Sequence, residues 1–398
     1  MHTVAPETVG LSSKRLSRID DTMQRYVDEG KLAGIATTVA RHGEIAQLET
    51  YGLMDVASNK PMQLDTIFRI YSMTKPITSV ALMMLYEEGR FLLTDPVSRF
   101  VPEFKETQVY VSEGDSGPEL ANQEQPMAIW HLLTHTSGLV YGSQEGSAVE
   151  NMVWQDDRKT EETIPDETLA EWAPRLARLP LAHQPGSAWH YGHSTDLLGR
   201  IVEVISGQPL DTFFQERILE PLGMVDTAFH VPAPKIERFA TNYGPTKDGG
   251  IQVIDAPETS PYAKPRRFLP GGEGLVSTIG DYVRFAQMLL NKGDLDGTRL
   301  LGRKTVELMT TNHLPAGLHP FERASMGFGL GFAVTLDAGQ AHHLVSKGQY
   351  AWVGSAGTAF RVDPREDLLY VLMTQLTPGG TYPIRDEFDV LVHQAIVD

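Results

Sequence analysis

Phe68-Arg69-Ile70-Tyr71-Ser72-Met73-Thr74-Lys75-Pro76-Ile77 is the stretch around which the rest of the chain is organised. It reads as an extended segment that turns into a helix, continued by the apolar pattern Ala81, Leu82, Met84 and Leu85. Residues three apart share one helix face, so this spacing brings the Lys75 ammonium within reach of the Ser72 hydroxyl. A serine hydroxyl is a weak nucleophile until a neighbour accepts its proton. A lysine can do so when burial and a positive helix start draw its pKa down from about 10.4. The same helix start offers backbone N–H groups to a developing oxyanion. Serine and lysine also stand three apart on ordinary surface helices. The apolar runs on both sides set this pair in a buried one, and the chemistry then depends on what the rest of the chain supplies.

With 398 residues, the chain has room for two or three domain-sized units and an ample core. It is 41% hydrophobic and 21% charged, an ordinary globular composition. Its 51 acidic against 34 basic residues leave a formal charge of -17, which argues against nucleic acid or an anionic membrane as partner. No cysteine is present, so a disulfide framework, a thiol nucleophile and a Cys-ligated metal site are excluded. The start Met1-His2-Thr3-Val4-Ala5-Pro6-Glu7 lacks the basic residues and apolar core of a signal peptide, and no apolar run is long enough to span a bilayer. The expectation is a cytoplasmic protein.

Upstream of the Ser72 stretch, Ser12 and Ser13 precede a helical pattern of Leu16, Ile19, Met23, Tyr26 and Val27 that stops at Gly30. Ile35 to Ala40 and Ile45 to Tyr51 read as two strands joined by the turn Arg41-His42-Gly43-Glu44. Downstream, Asp95-Pro96-Val97 opens a short helix ending near Pro102, and residues 104 to 128 turn polar. A short helix over Trp130 to Thr134 runs into the block His131 to Leu139, followed by a charged loop from Glu150 to Glu167. Helical patterns return at Leu169 to Leu179, Leu197 to Ile205 and Phe213 to Leu219, before a long Pro- and Gly-rich connection from Pro232 to Pro270. A helix over Ile279 to Leu290 follows. The period then becomes strand-like at Phe328 to Leu336, His343 to Ser346, Thr358 to Val362 and Leu368 to Thr374, with spacers short enough for antiparallel neighbours. A last amphipathic helix spans Ile384 to Ile396. An isolated hairpin is too small to be stable, so the N-terminal one is expected to join the C-terminal strands in one antiparallel sheet flanked by the terminal helices.

Two further pieces can carry chemistry. Tyr191, in Pro185-Gly186-Ser187-Ala188-Trp189-His190-Tyr191-Gly192-His193, stands where a loop enters a helix. Beside a cation its phenol can serve in acid-base work, although read alone it fits a packing role better. Tyr350 to Thr358 places Trp352, Gly354 and Ser355 at the end of a strand, where a glycine lets a ligand approach the backbone and an N–H can meet a carbonyl oxygen. The same glycine also fits a simple strand bend.

In this order the pieces resemble the serine β-lactamase-like superfamily, the class C β-lactamases and above all the family VIII carboxylesterases. Ser72-Met73-Thr74-Lys75 matches S-x-x-K, Tyr191-Gly192-His193 stands where that family has Y-x-N, and Trp352-Val353-Gly354 stands where the lactamases have K-T-G. His131 to Leu139, Pro221-Leu222-Gly223-Met224 and Gly271 to Thr278 also look like family segments, and the likeness runs from Leu16 to about Leu391. The resemblance implies an α/β domain of the β-lactamase/transpeptidase kind from residues 1–104 and 275–398. A mainly helical domain, residues 105–274, is inserted in it and walls the cleft. Ser72 would be acylated, with Lys75 and Tyr191 carrying its proton to the leaving group and later activating water. The backbone N–H groups of Ser72 and Ser355 would form the oxyanion hole. Tyr141 resembles a tyrosine that lines the acyl pocket of the esterases.

The departures bear on substrate. Trp352 carries no charge where the lactamase lysine holds the drug carboxylate, and His193 replaces the asparagine that binds its amide side chain. Both changes suit small neutral esters, with His193, Trp352 and Gly354 as substrate contacts. The expected activity is cleavage of short-chain carboxylic esters through an acyl-serine, with no metal, no cofactor and no partner beyond the small-molecule ester. The alternatives on the same fold are a β-lactam or amide hydrolase, a D-alanyl-D-alanine peptidase-like enzyme or an acyltransferase. From another class, a non-catalytic binder would fail to label at Ser72 with a fluorophosphonate. No serine has the G-x-S-x-G frame of an α/β-hydrolase. His131 and His135 have zinc-pair spacing, but Leu132 stands where H-E-x-x-H needs its glutamate, so both are read as structural.

Overall fold

The computed structural model describes residues 2–115, 117–158 and 167–398. Its centre is an eight-stranded antiparallel sheet made from the two ends of the chain. The strands are β1 (Gly34–Arg41), β2 (Glu44–Asp55), β3 (Lys60–Pro61), β4 (Met326–Phe328), β5 (Ala333–Thr335), β6 (Tyr350–Val353), β7 (Ala359–Asp363) and β8 (Leu368–Thr374), in the spatial order β4-β5-β6-β7-β8-β1-β2-β3. The join between the ends is the β1–β8 pairing, in which Ile35 faces Thr374 and Arg41 faces Leu368. The expected union of N-terminal hairpin and C-terminal strands is what the chain forms.

Alternation along β8 shows why this strand reads as continuously apolar. Leu368, Tyr370 and Leu372 enter one core with Leu16, Ile19 and Met23 of α1 (Ser13–Asp28) and with Phe388 and Val392 of the C-terminal helix Ile384–His393. Leu369, Val371 and Met373 enter the other, with α2 (Thr74–Glu87) and the helix Ile279–Leu290. Both faces are covered, so every residue of the strand is apolar or buried. Helix α1 is opened by Ser12, whose Oγ accepts from Arg15 N–H, and its apolar residues at 16, 19, 23 and 26 all lie on the buried side. By contrast α2 is buried nearly all round, from Thr74 to Leu85, as the central helix between the sheet and the helical part.

Five local expectations give way to different structure, the first at Phe328 to Leu336, expected as one strand, where β4 ends at Phe328 and the chain turns back to pair as β5. Within the described part of the expected 150–167 loop, Ala148–Arg158 is a helix, α3, whose Val149 and Val153 pack one turn apart against Val140; residues 159–166 lie outside the described residues. The polar stretch after 104 carries a hairpin, Val109–Gly114 with Gly117–Ala121. The Pro- and Gly-rich connection holds another, Asn242–Pro245 with Ile251–Asp255. His343 to Ser346 is not a strand: it follows the short helix Ala338–Ala341 and leads through a turn at Gly348 into β6.

Candidate active site

Ser72 lies in a short 3-10 turn, Tyr71–Met73, that runs directly into α2. Tyr71 has φ 42°, the left-handed region in which a bulky side chain is strained. The strain belongs to an abrupt reversal between the strand Phe68–Arg69 and the helix, and it leaves Ser72 at the helix start. The turn is held from several sides. Ile70 N–H donates to Leu275 O (3.1 Å), Leu275 N–H to Thr74 Oγ1 (3.1 Å), and Tyr282 Oη to Met73 O (2.8 Å). Arg69, fully buried, forms an ion pair with Asp255 and donates to the carbonyl of Ala240, with its guanidinium 3.9 Å from the Phe239 ring centre.

Lys75 is 1% exposed. Its ammonium donates to Ser72 Oγ (3.2 Å), Tyr141 Oη (2.9 Å) and Gly272 O (2.8 Å), which uses all three of its protons. Nucleophile and cation thus meet across one turn, as the three-residue spacing of Ser72 and Lys75 requires. The hydroxyl is held by a cation that a phenol and a backbone carbonyl fix in place.

The two tyrosines come together because their flanking segments run side by side. His190 N–H donates to His135 O (2.9 Å), Gly186 N–H to Thr136 O (2.7 Å) and Ala182 N–H to Gly138 O (2.8 Å). Gly192 sits so close to this neighbour that a Cβ would stand 2.4 Å from Leu139 O, so the glycine after Tyr191 is a packing requirement. The roles of the two phenols differ from the sequence expectation. The Lys75 ammonium lies over the Tyr191 ring, 4.5 Å from its centre, while the Tyr191 hydroxyl accepts from Trp352 Nε1–H at 3.4 Å. The phenol hydrogen-bonded to the ammonium is that of Tyr141, expected only as a pocket residue. Desolvation, then the Asp196 carboxylate, push the Tyr141 phenol well above its ordinary pKa, so at neutral pH it keeps its proton.

Trp352 stands at the end of β6 in an aromatic wall. Its ring centre lies 5.3 Å from Phe328, 5.4 Å from Tyr191 and 6.4 Å from Phe321, and Trp189 closes the group at 4.7 Å from Phe321. Gly354 serves the fold as well as any ligand. A Cβ there would stand 2.5 Å from Ile70 O and 2.2 Å from Thr358 Oγ1, so the missing side chain lets the strand end pack against the nucleophile segment. That contact sets the end of β6 against the segment that leads into Ser72. The turn bearing Ser355 is pinned by Gly379 N–H to Ser355 O (2.6 Å) and by Arg385, which donates to the carbonyls of Gly354 and Gly357.

His193, expected as a substrate contact, faces two carboxylates: Nδ1 lies 3.2 Å from Asp196 and Nε2 3.7 Å from Asp157. Burial alone would lower its pKa, but the Asp157 and Asp196 carboxylates prevail and raise it to about 9, so the ring is an imidazolium at neutral pH. Four participants escaped sequence reading. Gly272 and Asp196 lie in segments that carried other signals. Trp189 and Phe321 gave no periodic signal, and Phe321 is held in the cleft by a left-handed backbone, φ 52°, which sequence does not announce. The histidines of the 131–139 block are structural: His131 Nδ1 accepts from Ala128 N–H at 2.9 Å, and His135 packs 4.9 Å from the Tyr191 ring. Burial, then the Lys75 ammonium, keep His135 far below its usual pKa and neutral. Among the described residues no group of three His, Asp or Glu is placed to hold a metal, and no helix is long and apolar enough to cross a membrane.

Residues 19–394 match the model of the Beta-lactamase family. An uncharacterized protein of Mycobacterium tuberculosis is 36% identical over 369 residues, covering 90% of this chain and 89% of that protein. Esterase EstB of Burkholderia gladioli is 32% identical over 395 residues, covering 94% of each. Among solved structures, EstCE1, described as a hydrolase with promiscuous acyltransferase activity, superposes with a TM-score of 0.82 at 26% identity, over 96% of this chain and 99% of that one. With a serine, a lysine and two tyrosines gathered in one cleft, and with likeness of this extent, the chain belongs to the beta-lactamase family and is a serine hydrolase of that fold.

Proposed function

We propose that the chain is a carboxylesterase that cleaves short-chain esters through an acyl-Ser72 intermediate. The observation that carries this reading is the buried Lys75 ammonium bonded at once to Ser72 Oγ and Tyr141 Oη, beneath a wall of aromatic rings. In acylation, Ser72 Oγ attacks the ester carbonyl carbon while its proton passes through the phenol and ammonium network to the departing alkoxide, which leaves as the alcohol. In deacylation a water attacks the acyl carbonyl carbon, its proton passes through the same network to Ser72 Oγ as the acyl C–O bond breaks, and the acid is released with the serine restored. The N–H groups of Ser72 and Ser355 are assigned to the carbonyl oxygen in both tetrahedral intermediates. Trp352 presents an apolar ring where a cation would hold an anionic substrate, which favours neutral esters. The name of EstB supports the ester reading.

A panel of p-nitrophenyl esters of increasing acyl length, run beside a chromogenic cephalosporin, tests the substrate class. The short esters are expected to exceed the cephalosporin in kcat/KM by about 10³ or more, since a polar or charged group left without partners in a pocket forfeits several kcal/mol. A cephalosporin turned over as well as the acetate ester removes the carboxylesterase assignment. EstCE1 brings a second reading, acyl transfer to an alcohol in place of water, which an added alcohol competing for the acyl-enzyme reveals as ester product.

Tyr191 and Tyr141 both reach the ammonium, one through its ring face and one through its hydroxyl. Removing either hydroxyl with phenylalanine is expected to lower kcat by about 10²–10⁴, the ordinary contribution of one proton-transferring group. Full kcat in one of the two variants excludes that phenol from the proton path.

A further inference from the structure

We propose that Asp196 is a positioning residue for Lys75, acting through the backbone of Gly272, and that His193 holds the Asp196 carboxylate in place. The inference rests on the Ser72–Lys75 reading and extends it to residues that reach Lys75 through Gly272.

The chain of contacts is short. Asp196, 2% exposed on the first turn of the helix Ser194–Ser206, accepts Gly272 N–H on Oδ1 at 2.8 Å. Gly272 O in turn accepts from Lys75 Nζ at 2.8 Å. A carboxylate is thus fixed to one residue's N–H, and the catalytic ammonium to the same residue's carbonyl. The fit is tight: a Cβ on Gly272 would stand 2.8 Å from Asp196 Oδ1, and one on Gly271 2.7 Å from Thr195 O. Thr78 Oγ1 donates to Gly271 O at 2.6 Å, so α2, which carries Lys75, is tied to the same segment a second time. The other oxygen of Asp196 faces His193 Nδ1 at 3.2 Å, and His193 Nε2 faces Asp157 of α3 at 3.7 Å. A buried carboxylate with one oxygen on a backbone N–H and the other on a cation has little freedom to turn.

The catalytic consequence follows from distance. Without an acceptor at Asp196 the backbone of Gly272, which has no side chain to restrain its φ and ψ, can turn, and Lys75 then loses one of the three acceptors that aim it at Ser72. Misplacement of a reacting group by about 1 Å costs about 10²-fold in rate. The charged and titratable groups around His193 are Asp157 from α3, Asp196 from its own helix, Tyr141, and the Lys75 ammonium and Glu273 carboxylate across the cleft. Of these, the two aspartates make contact with the ring and set its charge.

Two variants test the proposal with p-nitrophenyl acetate: Asp196→Leu, which has no acceptor, and Asp196→Asn, whose amide oxygen can still take the Gly272 N–H. Asp196→Leu is expected to lower kcat about 100-fold with KM changed less than about threefold, and Asp196→Asn to recover about tenfold of that loss. A folded Asp196→Leu protein with wild-type kcat overturns the proposal, as does equal impairment of the two variants. Should the leucine variant fail to fold, the pH profile of Asp196→Asn decides. The alkaline fall in kcat, expected near pH 9 in the wild type as His193 loses its proton, should move at least one unit lower once the carboxylate facing His193 is gone. A limb that stays in place overturns it. Turnover that survives Ser72→Ala refutes the underlying reading; dependence on Ser72 with tolerance of both Asp196 changes refutes this inference alone.

Discussion

Ser72→Ala will abolish ester turnover, lowering kcat by a factor on the order of 10⁶, and will remove fluorophosphonate labelling of the protein. The size of the effect follows from the geometry. In the proposed mechanism the covalent step begins at Ser72 Oγ, and the groups around it act on that oxygen: Lys75 donates to it, and Tyr141 and Gly272 hold Lys75. Residues that work as one unit lose their value together when one is removed, so Lys75→Ala should fall nearly as far. The double variant should then be no slower than the worse of the two singles. Additive losses in the double variant would mean that serine and lysine serve separate steps, and activity in Ser72→Ala would end the acyl-serine mechanism. Intact labelling in Lys75→Ala, at a much lower rate, is expected, because the hydroxyl remains but its proton has no route.

Arg69→Leu will destabilise the fold by about 3–5 kcal/mol, read as a lower urea midpoint with an unchanged slope. Arg69 has 0% exposure, and its guanidinium makes five hydrogen bonds, to Asp255, Ala240, Gln375 and Ser260. It is the cross-tie between the nucleophile strand and the 240–260 segment. Leucine matches much of its bulk and none of its donors, so it strands the Asp255 carboxylate, only 18% exposed, without its cation. Arg69→Lys should recover little, since a single ammonium cannot serve acceptors spread around a planar fork. An unchanged midpoint in Arg69→Leu would show that the ion pair is offset by its own desolvation. The residue lies three positions before Ser72, so loss of this tie is also expected to loosen the strained turn at Tyr71.

Much of this architecture was legible because periodicity reports burial. The helix over Ile279 to Leu290 and the strand over Leu368 to Thr374 fall where the pattern places them, and S-x-x-K spacing gives the Ser72–Lys75 contact. The failures have physical causes. In α3 the charged residues Glu150, Asp156 and Asp157 dominate the reading, while only Val149 and Val153 face inward, too few for a periodic signal. At His343 to Ser346 a brief alternation looks like a strand, but β5 and β6 already occupy the places on either side of that turn. In the site, sequence locates residues and not their hydrogen bonds. It found Tyr141, Tyr191 and His193, yet the phenol on the ammonium is Tyr141 and His193 turns away to carboxylates, because backbone pairing between the 135–138 and 182–190 segments sets their orientation.

The seam between β1 and β8 bears on how the protein is made. A ribosome delivers residue 35 long before its partner, residue 374, so the first hairpin must wait with one edge and one greasy face uncovered until nearly all the remaining chain has emerged. Closure of the sheet is therefore a late event in synthesis, and the nascent chain depends until then on whatever shields it from its neighbours.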